Sequence, residues 1–290
     1  MAEWTVQKLL GWMTEYFTDK GVDSPRLSAE MLLSYTLGLS RIELYTNFDK
    51  PVSQDKLNEL RELVKRAARR EPVQYIIGST EFYSLRIELD KTCLIPRPET
   101  ELLVERAIEW LRQAGGQRRV CDLCTGSGCV AVAIAKNYGQ AEVIATDISD
   151  DALKWAARNV ENHELNEKVR LLCGDLFDAL IENLDNTEFD LIVSNPPYVS
   201  RAEFAGLDEK VKNYEPEDAL LAGEDGLDVY RRIAKQAPAY LKKGGRLMLE
   251  TGYRQGQAVS DLLEETGEFT EIEKEKDLNG NDRIVSANKT

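Results

Sequence analysis

Residues 190–200 read DLIVSNPPYVS: an apolar run of Leu191, Ile192 and Val193 stops on Asn195-Pro196-Pro197-Tyr198. Neither proline can donate to a strand ladder, and each restricts the residue before it, so the turn is rigid. The Asn195 side-chain carbonyl and the Pro196 backbone carbonyl are both acceptors, and Pro197 offers no competing N–H. A planar –NH2 presents two donors to such a pair, and Tyr198 supplies a face on which a flat group stacks. The constellation suits the grip of an amide or of an exocyclic base amine. The same residues are also ordinary punctuation after a strand, so their place among the other elements decides between the two.

A second cluster lies upstream. In DLCTGSG, Gly126 and Gly128 allow a tight turn and let a ligand approach the backbone. Asp147 ends the following strand about 20 residues on, placed to accept two ribose hydroxyls. The spacing Gly126-x-Gly128-x-x-Ala131 matches a dinucleotide fingerprint and admits NAD. S-adenosylmethionine fits as well, because its adenosine also meets an acid after the second strand and it carries no pyrophosphate. Asp122 favours the latter: a carboxylate repels a pyrophosphate but can reach a cationic methionine part, directly or through water. Asp175, in CGDLF, ends a third strand, where it can meet the adenine amino group beside Leu176 and Phe177.

The elements that must position these residues form a strand–helix rhythm. RRVCDLC, AEVIATD, KVRLLCGD and FDLIVSN read as strands. The helices CVAVAIAKNY and SDDALKWAARNVENH follow the first two. LDVYRRIAKQAPAYL is then a helix, GRLMLET a strand and RQGQAVSDLLEET a helix, before FTEIEKEK and DRIVSAN flank the Asn279-Gly280 turn. Alternation of this kind predicts a parallel sheet covered on both faces. With sheet order 3-2-1-4-5, the glycine loop after strand 1 faces the Asn-Pro-Pro-Tyr turn after strand 4, where ligands of such folds bind.

Ahead of this unit, residues 1–78 predict a small helical bundle of three helices: EWTVQKLLGWMTEYF, a helix capped by Ser24-Pro25 and stopped by Gly38, and one starting near Ser53. Residues 79–97 alternate, with Leu85, Ile87 and Leu89 on one face, and predict a hairpin connector; residues 98–290 make the third segment, opened by the helix PRPETELLVERAIEWLRQAGG. Several classes are disfavoured. A net charge of −14 argues against a large nucleic-acid footprint, and the one basic cluster, KRAARR, sits at a helix end. Cys121, Cys124 and Cys129 lack a second cluster or a nearby histidine, so no metal site and no disulfide framework is expected. No apolar run long enough to span a membrane occurs, and MAEWTVQKLL has no basic n-region, which together predict a cytoplasmic protein.

NPPY and DLCTGSG, together with QYIIGSTEFY, LIPRPETE, YEPEDALLAGEDGL and LETGYRQGQAV, resemble the HemK/PrmC family, the N5-glutamine methyltransferases of class I peptide-chain release factors. The resemblance covers nearly the whole chain, and the block from Gln74 to Glu101 is its most specific part. It implies a Rossmann-like class I methyltransferase with a doubly wound, mostly parallel seven-stranded sheet and an N-terminal helical substrate-recognition domain. It implies S-adenosylmethionine as cofactor, held by Asp122, Cys124, Thr125, Gly126, Ser127, Gly128, Asp147, Ile148, Asp175, Leu176, Phe177 and Asn195. It places the substrate glutamine on Asn195, Pro196, Pro197, Tyr198 and Arg97, with Asn195, Pro196 and Tyr198 catalytic. The chain departs from the family at Cys124, where a glycine is usual, and at Leu176, where tryptophan is frequent. Adenine-N6 and guanine-N2 methyltransferases share the turn but carry a basic recognition part, which a chain of net charge −14 lacks.

Overall fold

In the computed structural model, which describes residues 4–181 and 187–290, the apolar positions of the N-terminal segment meet in one core. Five helices build it: α1 (Val6–Asp19), α2 (Pro25–Leu37), α3 (Arg41–Thr46), α4 (Gln54–Ala67) and α5 (Val73–Ile77). Leu10, Met13 and Phe17 of α1 share a buried cluster with Leu32 and Leu33 of α2 and with Leu60 and Val64 of α4. The two helices beyond the three expected, α3 and α5, are only six and five residues long, too short for a 3.6-residue period to register. A capping box between Ser40 and Glu43 starts α3. Ser24 departs from its expected role. It sits at φ 43 without a side-chain cap, so α2 starts on Pro25 alone, whereas Gly38 at φ 66 ends the helix as expected. The first three residues of the 1–78 segment lie outside the described part.

The chain divides into a first unit, Met1–Ser79, and a second, Thr80–Thr290. At the start of the second, β1 (Ser79–Phe82) and β2 (Leu85–Glu88) form a two-stranded sheet, and Glu101 near the start of α6 (Thr100–Ala114) accepts from Tyr83 N at 2.8 Å. Then follow β3 (Arg118–Leu123), α7 (Cys129–Asn137), β4 (Ala141–Asp147), α8 (Asp150–Asn162), β5 (Val169–Cys173), α9 (Asp178–Ile181) and β6 (Phe189–Ser194). The remaining elements are α10 (Arg201–Gly206), α11 (Glu209–Tyr214), α12 (Asp228–Gln236), β7 (Leu241–Glu250), α13 (Gly256–Thr266), β8 (Phe269–Lys276) and β9 (Asp282–Lys289).

The seven strands β3 to β9 form one sheet in the order β5-β4-β3-β6-β7-β9-β8, the doubly wound arrangement expected. β3 to β7 run parallel and β9 is antiparallel to both β7 and β8. Every residue of β6 is buried, as a central strand covered on both faces requires. The edge strand β8 is charged, shifts register against β9 and bends at Glu271, which has φ 50. One boundary differs from expectation. The helix predicted over 227–241 stops at Gln236 because Pro238 cannot continue it, and a single 3-10 turn, Ala237–Ala239, leads into β7.

One buried side chain joins the connector to the glycine loop. Asn159 of α8 is fully buried; it donates through Nδ2 to Glu88 O at 2.8 Å and Ser127 O at 2.9 Å, and its Oδ1 accepts from Glu88 N at 2.7 Å. Gly128 completes the fit: at φ 79, a Cβ there would stand 3.0 Å from Ala156 Cβ on the same helix. Replacing Asn159 by alanine leaves buried backbone groups without partners, each costing about 1–3 kcal/mol. Asn159→Ala is therefore expected to lower unfolding stability by about 3 kcal/mol in total, read as a drop in the urea midpoint at unchanged slope.

Candidate active site

β3 and β6 are neighbours in the sheet, with Asp122 opposite Val193 and Leu123 opposite Ser194. Their ends are tied where they leave the sheet: Ser194 Oγ donates to Leu123 O at 2.7 Å, fully buried. The glycine loop and the Asn-Pro-Pro-Tyr turn therefore emerge side by side. Between them and the ends of β4 and β5 lies a cavity of about 570 Å³, a size that suits a cofactor. Of the residues expected to bind, Cys124, Gly126, Asp147, Ile148, Asp175, Leu176, Asn195 and Pro197 line it.

Asp147, the last residue of β4, is held by backbone amides: Gly126 N donates to Oδ2 at 2.8 Å and Ser149 N to Oδ1 at 2.9 Å. Burial raises its pKa despite these bonds. Each oxygen keeps a lone pair, so the carboxylate can still accept hydroxyls from the cavity. Cys124, where glycine is usual, holds the left-handed conformation at φ 59 that glycine adopts without strain.

Asp122 lies deeper than its neighbours in the loop. It is buried and takes no part in the cavity wall; its Oδ2 accepts from Thr125 Oγ1 at 2.6 Å and from Ala131 N at 3.1 Å. Burial raises its pKa to about 7. It braces the glycine loop against the first turn of α7. Thr125, Ser127 and Gly128 likewise shape the loop from behind the wall. Phe177 departs too, since it packs in the core and stacks on Tyr240 at 4.4 Å, leaving Leu176 at the surface of the cavity. Asp175 does line it, but its Oδ2 already accepts from Arg232 of α12 at 2.7 Å.

Several lining residues were not expected: Thr92 and Leu94 from the connector, Thr146, Ala152 of α8, and Pro216 and Leu221 after α11. None stands in a pattern that chemistry alone would single out. Thr92 and Leu94 lie just before and within LIPRPETE, and Pro216 and Leu221 lie within YEPEDALLAGEDGL, strings from which the resemblance carried no role for these four residues.

At the turn, Asn195 Nδ2 donates to Thr100 Oγ1 at 3.1 Å, which leaves the side-chain carbonyl for the cavity. Tyr198 is half-buried against the core, and burial pushes its phenol up to about 12. Its backbone carbonyl accepts from Gln255 Nε2 at 2.9 Å, and Gly226 passes so close that a Cβ there would stand 2.4 Å from that oxygen. Pro196 and Tyr198 do not line the cavity. Arg97 does not either: its Nη2 donates to both oxygens of the buried Glu215, at 2.7 and 2.6 Å, so the guanidinium is committed to a structural pair.

The cavity fits S-adenosylmethionine in kind. Asp147 offers acceptors for two hydroxyls, Leu94, Ala152 and Leu176 offer apolar walls, and the buried Thr146 Oγ1 has no partner among the described residues. Among the described residues no group of three or more histidine, cysteine or acidic side chains could hold a metal ion, and no two of the five cysteines form a disulfide. Among them also, no helix is long and apolar enough to cross a membrane.

Residues 8–78 match the PrmC N-terminal domain, and residues 99–208 match the methyltransferase small domain. A protein of Geobacter sulfurreducens named release factor glutamine methyltransferase is 45% identical over 282 residues, covering 97% of this chain and 96% of its own. One of the same name from Rhodopirellula baltica is 44% identical over 289 residues, covering 99% and 97%. In fold, the chain is similar to a crystal structure of a methyltransferase from Pyrococcus furiosus, with a TM-score of 0.52 at 16% identity over 80% of this chain and 98% of that one.

Asp147→Ala is expected to weaken S-adenosylmethionine binding by about 1.5–3 kcal/mol, the worth of hydrogen bonds to a charged acceptor. Isothermal titration checks it, and an unchanged dissociation constant would place the ribose elsewhere.

Proposed function

The chain belongs to the release factor glutamine methyltransferase family, and on that footing we propose that it methylates the side-chain amide nitrogen of the glutamine in the Gly-Gly-Gln motif of class I peptide-chain release factors, modulating translation termination. The observation that carries this reading is the placement of Asn195. It stands on the cavity wall beside the glycine loop, with its amide nitrogen turned away to Thr100 and its carbonyl left over. An acceptor at that point suits an amide –NH2.

S-adenosylmethionine, when bound, supplies an electrophilic methyl group. The protein's part is to prepare the nitrogen. An amide nitrogen is a poor nucleophile because its lone pair is delocalised into the carbonyl. The Asn195 carbonyl accepts one of its hydrogens and the Pro196 backbone carbonyl the other. Held by both, the nitrogen is drawn toward a tetrahedral shape with its lone pair directed at the cofactor. The proton leaves readily once the nitrogen carries the methyl, so no strong base is needed beforehand. Tyr198 stays a neutral phenol, given its raised pKa, and offers its ring to the flat amide. The turn that does this is stiff because Pro196 and Pro197 restrict it and Gln255 and Gly226 close on Tyr198 O. Positioning and electrostatics then supply most of the rate.

The helical segment of residues 1–78 serves, in this reading, to recognise the intact release factor. All residues lining the cavity come from Thr92 onward, so it is not needed for the cofactor. Its surface carries Trp12, stacked on Tyr16 at 5.4 Å, together with exposed Tyr35, Ile42 and Tyr45. The cytoplasm, where translation occurs, is the compartment this function implies, and direct nucleic-acid binding is not part of it.

Mass spectrometry of a purified release factor after incubation with the protein and S-adenosylmethionine tests the function, the expected result being one methyl on the Gly-Gly-Gln glutamine. Asn195→Ala is expected to slow single-turnover transfer on the order of 10²–10³ while cofactor affinity changes much less; near-parent transfer would reduce the turn to a strand end. Asn195→Asp should be milder, since it keeps an acceptor. Deleting residues 1–78 is expected to spare cofactor binding and abolish modification of intact factor, and full-rate modification by the truncated protein would refute the recognition role.

A further inference from the structure

Arg97 precedes α6 and Glu215 follows α11, and the pair they form is of long range. Nη2 of the arginine donates to both carboxylate oxygens, at 2.7 and 2.6 Å, and the Glu215 side chain is buried. Neither residue lines the cavity, yet each borders a loop that does. Thr92 and Leu94 of the wall lie just before Arg97, and Pro216, Ala219 and Leu221 of the wall lie just after Glu215. The ion pair therefore ties together two loops between which the cavity is built.

The second loop is a strap fastened differently at its two ends. At the far end the fastening is main chain: Val199 N, next to the Asn-Pro-Pro-Tyr turn, donates to Leu220 O at 2.8 Å, and Ala222 N donates to Val199 O at 2.9 Å. The middle is folded on itself, with Leu220 N and Leu221 N both donating to Glu217 O at 2.9 Å. At the near end α10 and α11 bury no residue, so the chain reaches Glu215 without an anchor in the core. There the Arg97 pair does the fastening. A carboxylate so enclosed depends on its partner, because a buried charge left uncompensated is strongly unfavourable. With Arg97 removed, the easiest relief is for Glu215 to turn out to water, and the strap goes with it.

We propose that Arg97 and Glu215 are positioning residues, a clasp that holds the strap in place as a wall of the cofactor cavity and so sets how long S-adenosylmethionine stays bound. They act through Pro216, Ala219 and Leu221 and do not touch the ligand themselves. Segments that close over a bound ligand often govern its release. The clasp concerns the cofactor alone and does not depend on which group receives the methyl.

The test uses the full chain with Arg97→Met, with Glu215→Gln, which leaves no buried charge behind, and with both together. Tritiated S-adenosylmethionine is chased with excess unlabelled cofactor, and amide hydrogen exchange is followed in the cofactor-free protein. Each single variant is expected to raise the dissociation rate about tenfold or more while the association rate changes by less than about threefold. The double variant is expected to dissociate within about twofold of the faster single one, because a clasp can be opened only once. Exchange should rise over residues 216–222 and stay at the parent level in β3 and β6, which a general loss of stability would not do. Parent dissociation rates in both single variants, multiplied effects in the double, or exchange raised equally across the sheet would each overturn the proposal. If the parent binds no S-adenosylmethionine, the cofactor assignment fails and exchange decides alone: raised over 216–222 in Glu215→Gln it upholds the clasp, unaltered it overturns it.

Discussion

Where β3 and β6 end, Ser194 Oγ donates to the carbonyl of Leu123 inside the sheet, and almost everything the cavity contains is placed by that junction. The two strands run parallel and side by side, so their following loops leave in the same direction with little room between them. One loop is flexible by composition and is made firm by its neighbours; the other is stiff by composition. The glycine loop is set by Asp122 and Asn159 from below and by Asp147 from the side. The turn after β6 is set by its own prolines and by Gln255. A ligand between them meets two walls that were both fixed before it arrived, and preorganisation of this kind is what lets positioning replace stronger chemistry.

Three carboxyl groups lie around this junction, two of them buried and one half-buried, and each is handled differently. Asp147 keeps backbone N–H donors and an open side toward the cavity. Asp122 is enclosed and is raised to about 7, with a hydroxyl and an N–H as its partners. Glu250 is also raised to about 7 and has one oxygen without a partner. Burying acids without full pairing costs stability, and the folded protein holds protons on such groups that the unfolded chain has already released. Their contribution to stability is therefore fully present below the ordinary carboxylate range and is lost as pH rises through about 7. That the acids surround the reactive cleft is the familiar exchange of fold stability for a prepared site.

Much of this was legible in the residues. The strand order follows from alternating strand and helix signals, and the juxtaposition of Gly126, Asp147 and Asn195 follows from that order. Depth was not legible. Phe177 sits one residue, and Asp122 two, from positions that do line the cavity, and spacing alone does not say which way a side chain turns at a strand end. The pairing of Arg97 was hidden for a related reason, because its partner Glu215 lies more than a hundred residues away and no local pattern announces the pair. Thr100 was hidden in the same way. In LIPRPETE it reads as a helix start, and only the folded chain shows that its hydroxyl serves a turn on the far side of the sheet sequence. The short helices α3 and α5 escaped because fewer than two turns leave no period to detect.

The far edge of the sheet has its own logic. β8 offers an unpaired row of backbone groups, the kind of template onto which another chain can add a strand. Its sequence, FTEIEKEK, crowds that row with acids and lysines, and the register shifts against β9 and the left-handed Glu271 twist it out of line. β5, at the opposite edge, is only five residues long. An open sheet thus ends at one side in a strand too short to recruit a partner and at the other in one too charged and too bent. Such guards work against edge-to-edge pairing between chains, and they leave the loops at the strand ends to receive a visitor.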